Sequence, residues 1–328
     1  VPALSWISRL PAPSLAVQRG CAIAAVVAQA GIAVTGSVVR VTGSGLGCPT
    51  WPQCAPGSLV PVAHPELGQL HQWVEFGNRM LAWAVGLAAA LCVLNALLSR
   101  PRRRRVLLLA ATMPLGVVAQ AVIGGITVLT GLVWWTVALH FLASIPLVWL
   151  AVLLVHAVGE GDEPARPHVP RPLRRLEVAL AAVLGALLVA GTLVTAAGPH
   201  GGDPRTPRLD VSVAALAQGH ADLLFLFLGM LVALGFALRA TSAPALLWRR
   251  YGLLLAAVTA QGALGMVQYW LGVPEALVAF HVLGAALVTV ATAALWCASR
   301  DRGPVPTIPA ETSTPPAPAR EVDVPVSA

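Results

Sequence analysis

Charge is scarce in this chain of 328 residues: Asp, Glu, Lys and Arg make up only 11%, against roughly 25% in an ordinary soluble domain. Lysine is missing altogether, so all 21 basic residues are arginine. No small-residue cleavage site follows the first apolar run, which is long and contains Gln29, so that run reads as a retained span and not a signal peptide. These absences exclude a soluble globular enzyme and a disordered chain. Hydrophobic residues fill 57% of the sequence and the mean hydropathy is +0.78, which leaves a polytopic membrane protein bathed in the lipid bilayer.

A formal charge of +7 and a pI near 10.1 invite a nucleic-acid partner. The arginines sit at the ends of apolar runs and not on one soluble face, so no nucleic acid is expected. Apolar runs fall at about 20–40, 69–98, 106–130, 133–157, 176–197, 211–238, 250–271 and 274–298, each long enough for a bilayer. With the N-terminus inside, 17 of the 21 arginines are cytoplasmic; only Arg40, Arg79, Arg205 and Arg208 are external. That bias predicts a multi-pass protein of the cell (plasma) membrane with both termini cytoplasmic. The expected organisation is a cytoplasmic segment 1–19, a four-helix bundle 20–157 with an outer loop 41–68, a cytoplasmic linker 158–175, a second bundle 176–298, and a tail 299–328. The tail is rich in Pro, Thr, Ala and Ser and reads as disordered.

Cys21, Cys92 and Cys297 lie in or beside apolar runs and read as small hydrophobes. Cys48 and Cys54 instead flank Pro-Thr-Trp-Pro-Gln in an external loop, a compartment that permits disulfides. Five intervening residues can close a bridge, worth about 2–3 kcal/mol in the loop-closure model. Two unpaired thiols are the bland alternative.

The chain also repeats itself. Gly31-Ile-Ala-Val-Thr35 in span one resembles Gly191-Thr-Leu-Val-Thr195 in span five, and Ala119-Gln120 matches Ala260-Gln261. Each Gln precedes a histidine by 20 residues, His140 and His281. Asn78 lies 62 residues before His140, and His220 lies 61 before His281. Agreement in order, spacing and span number predicts an all-α integral membrane fold of eight transmembrane helices, two four-helix bundles related by a pseudo-twofold along the membrane normal.

Four histidines fall within spans near the outer surface: His71, His140, His220 and His281. Ionisable groups inside a span are costly and usually face the bundle interior. His220 and His281 lie at similar depth on helices running in the same direction. Two inward imidazoles at one depth can hold a planar macrocycle between them, as in bis-histidine membrane haem proteins. The alternative is a pair of interhelical hydrogen bonds. Zinc suits less well, because no Cys, Asp or Glu stands at ligand spacing. The first bundle keeps His140 but has Asn78 in the His220 slot. His71, Glu75 and Asn78 form one stripe at i, i+4, i+7, and Glu75 pairs with Arg79 at i, i+4. That pair is either an ordinary salt bridge or a carboxylate facing a macrocycle, able to accept a proton, with Arg79 available to propionates. His156 and His168 read as solvated cytoplasmic residues. His64 and His200 read as outer-loop residues, His200 with the alternative of covering the edge of the second site.

These residues resemble the haem A synthase family over roughly 20–298. The most specific stretch is Arg40-Val-Thr-Gly-Ser-Gly-Leu-Gly-Cys-Pro-Thr-Trp-Pro-Gln-Cys54, followed by Glu75-Phe-Gly-Asn-Arg79 and the spans around His140, His220 and His281. The resemblance implies haem b held by His220 and His281, and haem O bound in the N-terminal half. There a ring methyl would be oxidised through the alcohol to the formyl group of haem A. It implies Glu75 as the acidic residue of span two and Cys48–Cys54 as the outer-loop pair. Upstream it implies the farnesyltransferase that makes haem O, and downstream a haem-copper terminal oxidase; a homo-oligomer stays open. Two departures stand out. Many members carry His where this chain has Asn78, so the second axial ligand of the first site is either missing or His71. Some carry a second cysteine pair in the loop that begins Gly198-Pro-His-Gly-Gly-Asp203, which here has none. Rival readings are a non-catalytic dihaem electron carrier and a haem-free transporter built from repeats.

Overall fold

The structure is a computed structural model that describes residues 10–62 and 68–306. His64, Arg9, Arg320 and the tail beyond 306 lie outside the described residues. Eight helices follow one another: α1 (Leu15–Val41), α2 (Gln69–Leu98), α3 (Arg104–Leu129), α4 (Trp134–Gly159), α5 (Arg171–Ala197), α6 (Val213–Ala240), α7 (Ala245–Trp270) and α8 (Glu275–Ala298). All eight are long and apolar enough to cross a membrane, and the chain is a multi-pass membrane protein. Two short strands, β1 (Arg166–Pro167) and β2 (Arg300–Asp301), pair antiparallel at the arginine-rich end.

Three helices start earlier than their apolar runs. α1, α5 and α7 begin at Leu15, Arg171 and Ala245 because the turn that carries the arginines continues the helix beyond the hydrocarbon, its charged heads snorkelling to water. Ser14 caps α1 by accepting the N–H of Val17. Pro172 sits in the first turn of α5, where its missing N–H leaves no bond unmade. At the opposite end Trp73, Trp135 and Trp270 are more than half exposed and form an interfacial belt.

The two halves share topology but not tightness. In the first, α1 packs on α2 and α4, and α3 packs on α2 and α4, closing a ring. Its core is built of Ala22, Ala25, Ala89, Ala96, Ala110 and Ala151, small side chains that let helix backbones approach. In the second, the hairpins α5–α6 and α7–α8 are well packed internally but touch each other sparsely. Leu180, Leu184, Leu231, Leu234 and Leu254 join them at the arginine-rich end. Toward the other end α6 has no buried residue before Phe227 and α7 none after Val258. The halves meet where α8 lies against α1 and α4, with α4 also touching α5. That central placement explains why His156, expected to be solvated, is half-buried in the last turns of α4, whereas His168 is exposed.

At the arginine-rich end Arg103 bonds Asp162 at 2.7 Å and Arg105 bonds Glu160 at 2.6 Å, fastening the α4–α5 linker beneath the bundles. At the other end the loops of the two halves are clasped by a backbone bond from Gly45 N–H to the Gly202 carbonyl, 2.8 Å.

Candidate functional site

His140, His220 and His281 occupy the second turn of α4, α6 and α8, and Asn78 the third turn of α2, all counted from the disulfide end. Each imidazole rests its Cε1 edge on a glycine of the preceding helix. A methyl group added at Gly124 would stand 2.7 Å from His140, at Gly191 3.2 Å from His220, and at Gly265 2.9 Å from His281. The bare glycines are therefore the sockets that let the rings approach the helix wall edge-on. Gly124 and Gly265 each fall 16 residues before their histidine and four after Gln120 and Gln261. The Gln-x-x-x-Gly spacing was the available sequence signal, since i, i+4 residues share a face, and the sequence reading used only its glutamine. Gln261 itself donates to the His281 carbonyl at 2.8 Å.

In the C-terminal half the His220 and His281 rings face each other with centroids 6.3 Å apart and planes at 57°. Two imidazoles on opposite faces of one metal, each bonded at ~2.0–2.1 Å, place their ring centres roughly 6 Å apart, so the pair fits bis-histidine ligation. His220 Nδ1 lies 3.0 Å from the Leu187 carbonyl; as donor there, it leaves Nε2 with its lone pair free for a metal. His281 Nδ1 is buried without a hydrogen-bond partner, so no interhelical hydrogen bond accounts for it. The gap between the hairpins toward the disulfide end is thinly packed: burial begins late in α6 and ends early in α7, and Leu224 of α6 reaches Gly262 of α7 across it. Cofactor sites in helix bundles are built from side chains on facing helices, and here His220 and His281 are the side chains that would hold a flat group between the hairpins.

The N-terminal half is arranged differently. Asn78 accepts a hydrogen bond from the Thr35 hydroxyl at 2.7 Å. Gly31, the repeat counterpart of Gly191, has no side chain near its missing Cβ, so the fourth socket is empty of imidazole. Cys48 and Cys54 form a disulfide whose loop packs onto α2 and α3. Glu75, 4% exposed, accepts the Cys48 backbone N–H at 2.7 Å and pairs with Arg79 at 2.5 Å. Arg79 also donates to the carbonyls of Cys48, Thr50 and Gln53 at 2.7, 2.9 and 3.2 Å, so the five donors of its guanidinium are committed to Glu75 and the loop. Trp51 from the same loop lies over Gly125, where a methyl group would meet its indole at 2.6 Å, next to the Gly124 socket of His140. The loop therefore roofs the first half beside its histidine. His71, in the first turn of α2, is exposed and bonded through Nδ1 to Ser44 Oγ at 2.9 Å. A cavity of about 180 Å³ beside the disulfide, lined by Pro49, Thr50, Cys54 and Gln72, is small against the ~300–1,000 Å³ of a drug-sized ligand site.

Three further polar residues escaped the sequence reading as a group. Arg40 donates to the His200 carbonyl at 2.8 Å, His200 Nε2 lies 2.8 Å from the Val273 carbonyl, and Arg208 donates to the Thr195 and Gly198 carbonyls. They stitch the α5–α6 loop over the mouth of the C-terminal gap.

Residues 19–199 match the COX15-CtaA family, described as cytochrome oxidase assembly protein. Among curated proteins, the chain is 32% identical to a heme A synthase of Geobacillus thermodenitrificans over 41% of either chain. It is 30% identical to that of Lysinibacillus sphaericus over 53% of this chain and 56% of the relative. The match to heme A synthase of Staphylococcus aureus is 28%, over 48% and 52%. The chain thus aligns with about half the length of these relatives, and the family match ends with α5, short of the 20–298 over which the motifs resemble the family. It nonetheless takes in the disulfide loop, Glu75, Arg79 and His140, and covers more than half of the sequence. The chain belongs to the COX15-CtaA family, the haem A synthase family its motifs resemble.

Proposed function

We infer that this protein is a haem A synthase that oxidises a ring methyl of haem O, through the alcohol, to the formyl group of haem A. The observation that carries the reading is the asymmetry between duplicated sites: opposed imidazoles between thinly packed hairpins in one half, and one socketed histidine beneath a carboxylate-anchored roof in the other. Saturated ligation by His220 and His281 suits a resident haem b, which when bound supplies one-electron transfer. The N-terminal half suits the substrate. His140 is the residue that would hold the substrate's iron, and Asn78, a poor iron ligand, would not compete for it. His71 is at the exposed rim, about two turns outward of Asn78, and would serve only a macrocycle seated near the surface.

Glu75 carries negative charge at the edge of this half and is the group placed to accept a proton there. Arg79 acts as a positioning residue, since its donors hold the roof and Glu75 together. The disulfide loop shields the reacting methyl from bulk water. The product would supply a haem-copper terminal oxidase, and haem O would come from the farnesyltransferase reaction, in the plasma membrane with both termini cytoplasmic.

Co-expression with a haem O source, followed by chromatography of extracted haem, tests the reading. Haem A should appear with wild type and vanish with Glu75→Ala. A dihaem electron carrier would return only unmodified haem b, and a haem-free protein would give no haemochrome spectrum.

A further inference from the structure

Arg40 and Arg208 are neighbours, packed against the adjacent residues Gly202 and Gly201, yet neither has a carboxylate partner among the described residues. Asp203, the acid in the same loop, is engaged by Arg205. Arg208 Nε is buried with no hydrogen-bond partner, and the backbone of Gly201 is pressed so close to its Nη1 that a Cβ there would collide with it. Two neighbouring guanidiniums, one with an orphaned donor, are an anion site in want of its anion.

Position identifies the anion. Arg208 is anchored to the Thr195 carbonyl at 2.7 Å, one helical turn, ~6 Å, beyond Gly191, the socket of His220. Arg40 reaches the same loop through the His200 carbonyl, and His200 in turn ties that loop to the α7–α8 turn at Val273. The two cations therefore stand at the mouth of the gap whose walls carry His220 and His281.

We propose that Arg40 and Arg208 form a carboxylate-binding site for the propionates of the macrocycle held by His220 and His281. This rests on the bis-histidine reading above. Planar guanidinium forks match carboxylates, and they supply the countercharge that a propionate needs at the rim of an apolar gap. The pair thereby sets which edge of the macrocycle faces the loop. By placing positive charge near the iron it favours the ferrous state.

The test uses the full-length purified protein and the midpoint potential of its low-spin haem from pH 6 to 9. Arg208→Gln and Arg40→Gln should each favour the ferric form about tenfold, a fall of roughly 59 mV for one electron. Each should also add a pH dependence as the released propionate titrates. His200→Ala, which loosens the roof without removing charge, should do neither. Reconstitution supplies a second arm: wild type should bind haem b about tenfold tighter than its dimethyl ester, and Arg208→Gln should lose that preference. If Arg208→Gln fails to retain haem, Arg208→Lys should retain it with a near-wild-type potential; loss in both would make the residue a loop anchor and overturn the proposal. Unchanged potentials in both glutamine variants, with haem bound, would also overturn it and leave the pair to a free anion or a lipid headgroup. A wild type without any haemochrome would instead remove the bis-histidine reading itself.

Discussion

The carboxylate of Glu75 accepts the backbone N–H of Cys48 at 2.7 Å while its other oxygen takes the guanidinium of Arg79. One acidic side chain in α2 thus fastens the disulfide loop to the helix. Glu75→Ala should free Cys48 N–H and Arg79 together, at a cost of about 1.5–3 kcal/mol for each charged hydrogen bond. The expected result is a lower Tm in detergent and loss of haem A formation, with Glu75→Asp intermediate. A Glu75→Ala protein of wild-type Tm and activity would contradict the arrangement.

Removing either member of the facing pair should be visible spectroscopically. His281→Ala and His220→Ala should each abolish the low-spin bis-histidine signal of purified protein, measured by absorption and electron paramagnetic resonance. Persistence of that signal in either variant would mean that the rings do not share a metal.

The glycine sockets give a sharper test, because they leave every ligand in place. Gly265→Ala should push the His281 ring aside, its methyl otherwise 2.9 Å from Cε1, and lower haem occupancy several-fold. Gly185→Ala, on α5 with nothing within 4 Å of its added Cβ, should leave haem content unchanged. Equal effects from the two would show that alanine merely perturbs the helices.

Asn78→His should fill the fourth socket. Gly31 leaves its wall open, and the Thr35 hydroxyl gives up Asn78 but keeps the Ile32 carbonyl as acceptor, so an imidazole there can face His140. The variant, loaded with haem, should gain a second low-spin signal, and by closing the open coordination face it should turn over more slowly. A spectrum identical to wild type would place Asn78 outside the site.

Two hydrogen bonds from Arg103, with its charge nearby, hold the Asp162 carboxyl below the usual carboxylate range. A depressed folded value stabilises above the unfolded value of about 3.9, and that contribution fades as pH falls through the folded one. Asp162 is 35% exposed, so solvent screening keeps its worth to under about 1 kcal/mol. Asp162→Asn should lower Tm slightly at pH 7, and the difference should shrink progressively as pH falls below about 4. A gap that persists in acid would assign the effect to packing.

Much of this was legible in sequence because the bilayer enforces it. Arginines cannot enter hydrocarbon, so they mark the span ends, and histidines that do enter it advertise a site. The repeat was legible because duplicated spacing survives divergence in Ala119-Gln120 and Ala260-Gln261. What could not be read was the set of partners that a residue finds across the fold. Arg79 looked free for a ligand because the carbonyls of Thr50 and Gln53 that occupy it are backbone groups, present at every position and so invisible as a motif. His200, Arg40 and Arg208 likewise meet carbonyls and form no recognisable pairs. The unequal tightness of the halves follows from alanine in one core and leucine in the other, a contrast that both apolar runs conceal equally well in a hydropathy profile.

The bond between Gly45 and Gly202 belongs to no side chain. Neither position has room for a side chain: a Cβ at Gly45 would stand 2.7 Å from Leu132, and Gly202 holds a φ of +100° that other residues rarely adopt. The joint thus depends on two bare backbones and on none of the side chains that distinguish the halves, so the histidines, carboxylates and cysteines on either side can differ without moving it.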